Sequence, residues 1–137
     1  VNEPVKQPPK LKKRTLSPKQ RQAPKTLLGE YGELQAAQYL RQLGYSILGA
    51  NVVCGKVELD LVAVTPDENE LVFVEVKTRS QDFSGHPSAA VSDLKLRNMR
   101  QAARLYLSEQ HWSKDYRFDV ITVLPGNNIE HFENVTL

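Results

Sequence analysis

The stretch Val57-Glu58-Leu59-Asp60-Leu61-Val62-Ala63-Val64, the polar turn Thr65 to Glu70, and then Leu71-Val72-Phe73-Val74-Glu75-Val76-Lys77-Thr78-Arg79 decide how this chain folds. Both arms alternate and are rich in β-branched residues, and Pro66, Asp67 and Asn69 supply turn chemistry between them, so the pattern predicts a β-hairpin. On a regular first arm Leu59, Leu61 and Ala63 share one face, which puts Glu58 and Asp60 on the other with Val62 and Val64. On the second arm Val72, Val74 and Val76 share a face, opposite Leu71, Phe73, Glu75 and Lys77. Two carboxylates and an ammonium therefore extend strand faces that are otherwise apolar.

Burying an ion is costly unless it is paired or bound to a metal. Taken singly, these residues are accounted for by structural ion pairs or by charged positions on an edge strand. Taken together, Asp60, one turn, and Glu75-Val76-Lys77 form the arrangement a metal-dependent phosphodiesterase needs. Asp60 and Glu75 offer hard oxygens to a divalent cation, and the Val76 backbone carbonyl offers a third. Lys77 is placed to steady a hydroxide nucleophile or the charge on a phosphorane.

The set Asp60 and Glu75-Val76-Lys77 resembles the PD-(D/E)XK nuclease signature. More narrowly, Gly29-Glu30-Tyr31-Gly32-Glu33, Glu58-Leu59-Asp60-Leu61, Phe73-Val74-Glu75-Val76-Lys77-Thr78-Arg79 and the following helix with Ala90-Val91 are similar to the YraN-like family of small bacterial proteins. That family is related to archaeal Holliday-junction resolvases, and the similarity runs from about Leu28 to Phe132. Val57 stands where the family usually has glycine, and no proline precedes Asp60. The resemblance implies a restriction-endonuclease-like core and adds the Glu33 carboxylate to the Asp60 and Glu75 site.

At 137 residues the chain fits one domain. A net charge of +2 hides an asymmetry: residues 1–25 hold eight Lys/Arg against Glu3, or +7, and the remainder ten basic against fifteen acidic residues, or −5. With five prolines by Pro24 and no periodicity, the first segment (1–25) reads as a disordered basic arm ahead of a nuclease-like domain (26–137). Such an arm binds nucleic-acid phosphates or merely solubilises. No apolar run approaches the roughly 20 residues that span a bilayer, so no membrane partner is expected. Cys54 alone excludes a disulfide framework, and the cytoplasm is the simplest compartment.

Gly29 to Leu43 reads as a first helix closed by Gly44, with Ala36, Ala37, Tyr39, Leu40 and Leu43 on its apolar arc and Glu33 inside that arc. Tyr45 to Val53 reads as a strand, and Cys54 as a small apolar filler. Ser80 to Pro87 is a polar loop with His86, a weak candidate base. Ser88 to Ser108 reads as a second helix whose buried face is Leu96, Met99, Ala102, Ala103, Tyr106 and Leu107. Arg97, Arg100 and Arg104 form a basic stripe beside that face, and Lys95 projects at its edge. Strands over Arg117 to Leu124 and Ile129 to Phe132 flank a turn at Pro125 to Asn128.

The predicted order is α-β-β-β-α-β-β, a mixed sheet with a helix on each side. The leading functional expectation is a Mg²⁺-dependent DNA endonuclease, Mn²⁺ substituting, with structured or branched DNA among its substrates. Asp60 and Glu75 hold the metal with the Val76 carbonyl, and Glu33 assists directly or through water. Lys77 orients the attacking water, and Arg79, Lys95, Arg97, Arg100 and Arg104 hold phosphates. The alternative is a non-catalytic nucleic-acid-binding or assembly module that keeps the fold. Whether the chain forms a homodimer is left open.

Overall fold

The computed structural model describes residues 27–79 and 93–135. In order these form α1 (Leu27–Gln42), β1 (Ser46–Cys54), β2 (Val57–Val64), β3 (Glu70–Thr78), α2 (Asp93–Gln110), β4 (Asp115–Leu124), a 3-10 turn (Pro125–Asn127) and β5 (Asn128–Phe132). The strands lie side by side in sequence order. β1, β2 and β3 are an antiparallel meander, β4 runs parallel to β3, and β5 returns antiparallel to β4. A parallel neighbour needs a crossover, and α2 supplies it. This is the mixed α/β order predicted above, helix, three strands, helix, two strands. The basic arm, the loop with His86 and the expected first residues of the second helix (88–92) lie outside the described residues.

β2 and β3 sit in the middle of the sheet, covered on both faces, which is why they read as nearly continuous apolar runs. One face carries Val62, Val64, Leu71, Phe73 and Val120 under Leu96, Met99, Ala102, Ala103 and Tyr106 of α2. The other carries Leu61, Ala63, Val72, Val74, Ile121 and Val123 under Ala36, Ala37 and Leu40 of α1. Cys54 is buried in the α2-side layer, as a filler. The hairpin turn is tied by the Asp67 carboxylate, which accepts from Thr65 Oγ1 at 2.6 Å and from Asn69 N at 3.0 Å.

α1 ends as its glycine requires. Gly44 has φ 92°, Tyr45 N donates to Leu40 O at 3.0 Å, and Gly44 N donates to Arg41 O at 3.0 Å. These two bonds are a Schellman closure. They turn the chain away before Leu43 reaches the core, so Leu43 is half exposed and not on the buried arc expected of it. No helix among the described residues is long and apolar enough to cross a membrane.

A second correction bears on the site. Leu59 joins Val62 and Val64 in the α2-side layer, whereas Leu61 and Ala63 face α1. Strict alternation, which put Leu59 with Leu61, therefore slips by one residue at Asp60. The ladder is irregular on both sides there: on β1, Asn51, between the partners of Leu61 and Leu59, has φ 53°, and β2 pairs with β3 only from Leu61 opposite Val74 to Val64 opposite Leu71. Just beyond, the Asp60 carboxylate accepts the Val76 N–H at 2.9 Å.

Candidate active site

The two central strands part at Asp60, and the opening between them is the cleft. Asp60 is half-buried, held by the Val76 amide of the neighbouring strand. That bond fixes the carboxylate beside Glu75-Val76-Lys77, one residue along. β3 stays in place because its other edge remains paired with β4 as far as Thr78 opposite Val123. Arg79 N extends this edge by donating to Val123 O at 3.0 Å.

Glu75 is 2% exposed, with its side chain on the α2 side of the sheet. Two ammonium groups reach its Oε1: Lys77 Nζ at 3.3 Å, from the same strand, and Lys95 Nζ in closer contact, from the first turns of α2. Burial pushes the Glu75 carboxyl above its ordinary pKa, the facing Asp60 carboxylate adds to the rise, and Lys95 and Lys77 oppose it without cancelling it.

Glu33 completes the cleft from the other side. It is 9% exposed, inside the buried face of α1 as its position in the apolar arc predicted. The helix comes this close to β3 because residue 32 is glycine: a Cβ there would overlap the Thr78 hydroxyl. Glu33, Asp60, Glu75, Val76, Lys77 and Lys95 together line one open cleft of about 290 Å³. The set named from sequence as catalytic is thus brought together, and Lys95, expected at the edge, stands within it. Arg97, Arg100 and Arg104 are exposed along α2 and line none of the cleft; Arg79 is half-buried at its strand end.

Among the described residues no three His, Cys, Asp or Glu side chains gather closely enough to enclose a metal ion. The donor set nonetheless suits Mg²⁺, which keeps several waters and takes one or two carboxylates, better than a metal that demands an all-protein cage. The fit rests on Glu33, Asp60 and Glu75 lining one cleft.

One buried charge centre was missed from sequence. Asp119 on β4 is fully buried and accepts from Arg117 Nε at 3.0 Å, Arg117 NH2 at 3.3 Å and Asn134 N at 2.9 Å, with His131 Nε2 at 2.7 Å. Arg117 also donates to the Tyr45 hydroxyl at 2.8 Å, and Tyr39 Oη lies 3.2 Å from His131 Nδ1. Burial would raise the Asp119 pKa, but hydrogen bonds from His131, Arg117 and the Asn134 amide outweigh it and hold the carboxyl below its usual range. A shallow depression of about 390 Å³ beside Arg117 is lined by Glu70, Asp115 and Glu133 among others. It contains none of the cleft residues, and Arg117 spans from it to the buried Asp119. The signal was an aspartate in the apolar run Phe118-Asp119-Val120-Ile121, the same anomaly that marked Glu75.

Fold and cleft together define a class: a mixed α/β protein with an aspartate on one central strand and Glu-x-Lys on the next. Within that class, the chain belongs to the family described as Uncharacterised protein family UPF0102, whose profile matches residues 32–123. It is 44% identical over 111 residues to a UPF0102 protein of Pelobacter propionicus, covering 77% of this chain and 79% of that one. A UPF0102 protein of Phocaeicola vulgatus is 43% identical over 108 residues (77% and 88%), and one of Beutenbergia cavernae 40% over 116 (81% and 97%). Among solved structures, a repair endonuclease from Pyrococcus abyssi is similar at a TM-score of 0.45 and 12% identity. The match covers 78% of this chain and 42% of that one.

Proposed function

We propose that this protein is a Mg²⁺-dependent DNA endonuclease, with Mn²⁺ able to substitute, whose reaction centre is the cleft between β2 and β3. The observation that carries the reading is the convergence of Asp60 and Glu75 beside Lys77 in one cleft, where the Glu75 carboxylate is nearly inaccessible. Asp60, Glu75 and the Val76 carbonyl would hold the cation, with Glu33 assisting through water. The bound cation would polarise the scissile phosphate and neutralise charge developing on it. Lys77 alternates with Glu75 along β3, which sets its ammonium at the cleft to orient the attacking water and stabilise the phosphorane. Asp60 stays in place by the Val76 N–H bond, and Glu75 by its burial beside Lys77. Exposed Arg97, Arg100 and Arg104 on α2 would hold backbone phosphates away from the reacting one.

A second reading has its own observation. Glu75 is paired with two ammonium groups, those of Lys77 and Lys95, which suits a domain that keeps the fold for binding or assembly and does not turn over. Incubation of highly purified protein with single-stranded, duplex, flapped and four-way DNA, in Mg²⁺ or Mn²⁺, separates the two. Cleavage that disappears in Asp60→Asn supports the nuclease; no cleavage of any of these by wild type replaces it with the binding module.

A further inference from the structure

Lys95 contacts the same oxygen of Glu75 that the proposed cation would use. Its ammonium is on Glu75 Oε1, which Lys77 also approaches at 3.3 Å. The two lysines differ in what holds them. Lys77 belongs to β3, two residues from Glu75, and its side chain is 25% exposed. Lys95 comes from another element, reaching from α2 on four methylenes with 42% of its side chain exposed. Glu75, at 3% side-chain exposure, has little water to offset its charge, so an ammonium there serves as its counter-ion. Two ammonium groups and a divalent cation on one carboxylate oxygen repel one another at contact distance. Of the two, the longer reach to solvent makes Lys95 the group that leaves.

We propose that Lys95 is an exchangeable counter-ion of the cleft: it occupies Glu75 in the cation-free protein, is released when a divalent cation binds, and then pairs with a phosphate of the nucleic acid. This rests on the metal-binding reading given above. It makes cation and phosphodiester binding mutually reinforcing, because a phosphate that draws Lys95 away removes the competitor for Glu75. It also reconciles a doubly paired Glu75 with a working nuclease, since the pairing describes the state before loading.

Two measurements test it on the full-length protein. The first is amine acylation followed by peptide mass analysis, with exposed Lys56 as the reference. Lys95 should react slowly relative to Lys56 without cation and several-fold faster at saturating Mg²⁺. The second is calorimetric titration with Mn²⁺, in which Lys95→Gln should bind roughly three- to tenfold more tightly than wild type, the modest range reflecting a half-exposed pair. Lys77→Gln controls for the loss of one positive charge and should gain less. Unchanged Lys95 reactivity while calorimetry shows Mg²⁺ bound, or equal gains in the two variants, overturns the exchange and leaves the metal site standing. If neither wild type nor Lys95→Gln binds Mn²⁺ or Mg²⁺, both the exchange and the metal-binding reading fall. Binding by Lys95→Gln alone supports the exchange in its strongest form. Should Lys95→Gln not fold, the reactivity of wild type decides the question by itself.

Discussion

Asp119 is the residue whose loss the structure costs most clearly. Asp119→Ala removes four donors' acceptor at once and leaves Arg117, 12% exposed, and His131, 6% exposed, facing a small cavity. Breaking a buried pair by deleting one partner costs about 3–5 kcal/mol, because the surviving charge stays buried. The isosteric Asp119→Asn keeps one acceptor oxygen for Arg117 or the Asn134 amide and should cost less, about 1.5–3 kcal/mol. Against a typical domain stability of about 5–15 kcal/mol, either loss is large. The acid limb gives an independent signature. The folded-state pKa of Asp119 lies below its unfolded value, so the stability it adds is present above about pH 4 and is lost as pH falls through the lower, folded value. Urea unfolding from neutral pH down to pH 2 measures both effects. Wild type should lose stability over that acid window, and Asp119→Asn should start lower and decline less. A loss below about 1 kcal/mol in Asp119→Ala, with an unchanged acid limb, would refute the claim that this carboxylate organises the network.

Three further outcomes are expected. Lys77→Ala should lower Mg²⁺-dependent DNA cleavage by about 10²- to 10³-fold in single-turnover assays while DNA affinity holds, since one electrostatic group at the reacting centre is lost; a defect in affinity alone would contradict its role. Gly32→Ala, which drives a methyl into Thr78, should cost about 1–3 kcal/mol by denaturant unfolding, and a neutral result would show that α1 is not held against β3 at that point. Deletion of residues 1–25 should preserve the thermal transition, weaken DNA binding and flatten its dependence on salt; an unchanged salt slope returns the arm to a solubilising role.

The hairpin was legible because alternation, β-branching and turn residues agree over 23 residues, from Val57 to Arg79. Glu33 was legible for the same kind of reason, as a carboxylate inside an apolar helical arc. The face of Leu59 was not, because alternation assumes a regular ladder, and beside Asp60 the neighbouring strand has Asn51 at φ 53° while β3 gives its Val76 N–H to the Asp60 side chain. Lys95 was placed at the edge of the buried face; that it crosses to Glu75 depends on how α2 sits over β3, which no single-element projection contains. Asp119 shows a different limit. Its partners are two residues back in Arg117, twelve on in His131 and fifteen on in the Asn134 amide, and Tyr45 and Tyr39 join only through Arg117 and His131. Only β4–β5 pairing and the placement of α1 assemble them.

The mixed sheet also separates the cleft's parts by folding time. Leu61 and Val74 pair across a loop that places them only 13 residues apart, and a hairpin of this kind closes in about 1–10 μs. Phe73 and Phe118, partners in the parallel pair, are 45 residues apart, and that contact waits for α2 to form the crossover. Asp60 and Glu75 therefore arrive near one another early, on a hairpin still open to water, whereas Lys95 arrives only when α2 docks. A chain folding in that order holds its two acids together before α2 brings Lys95 to them.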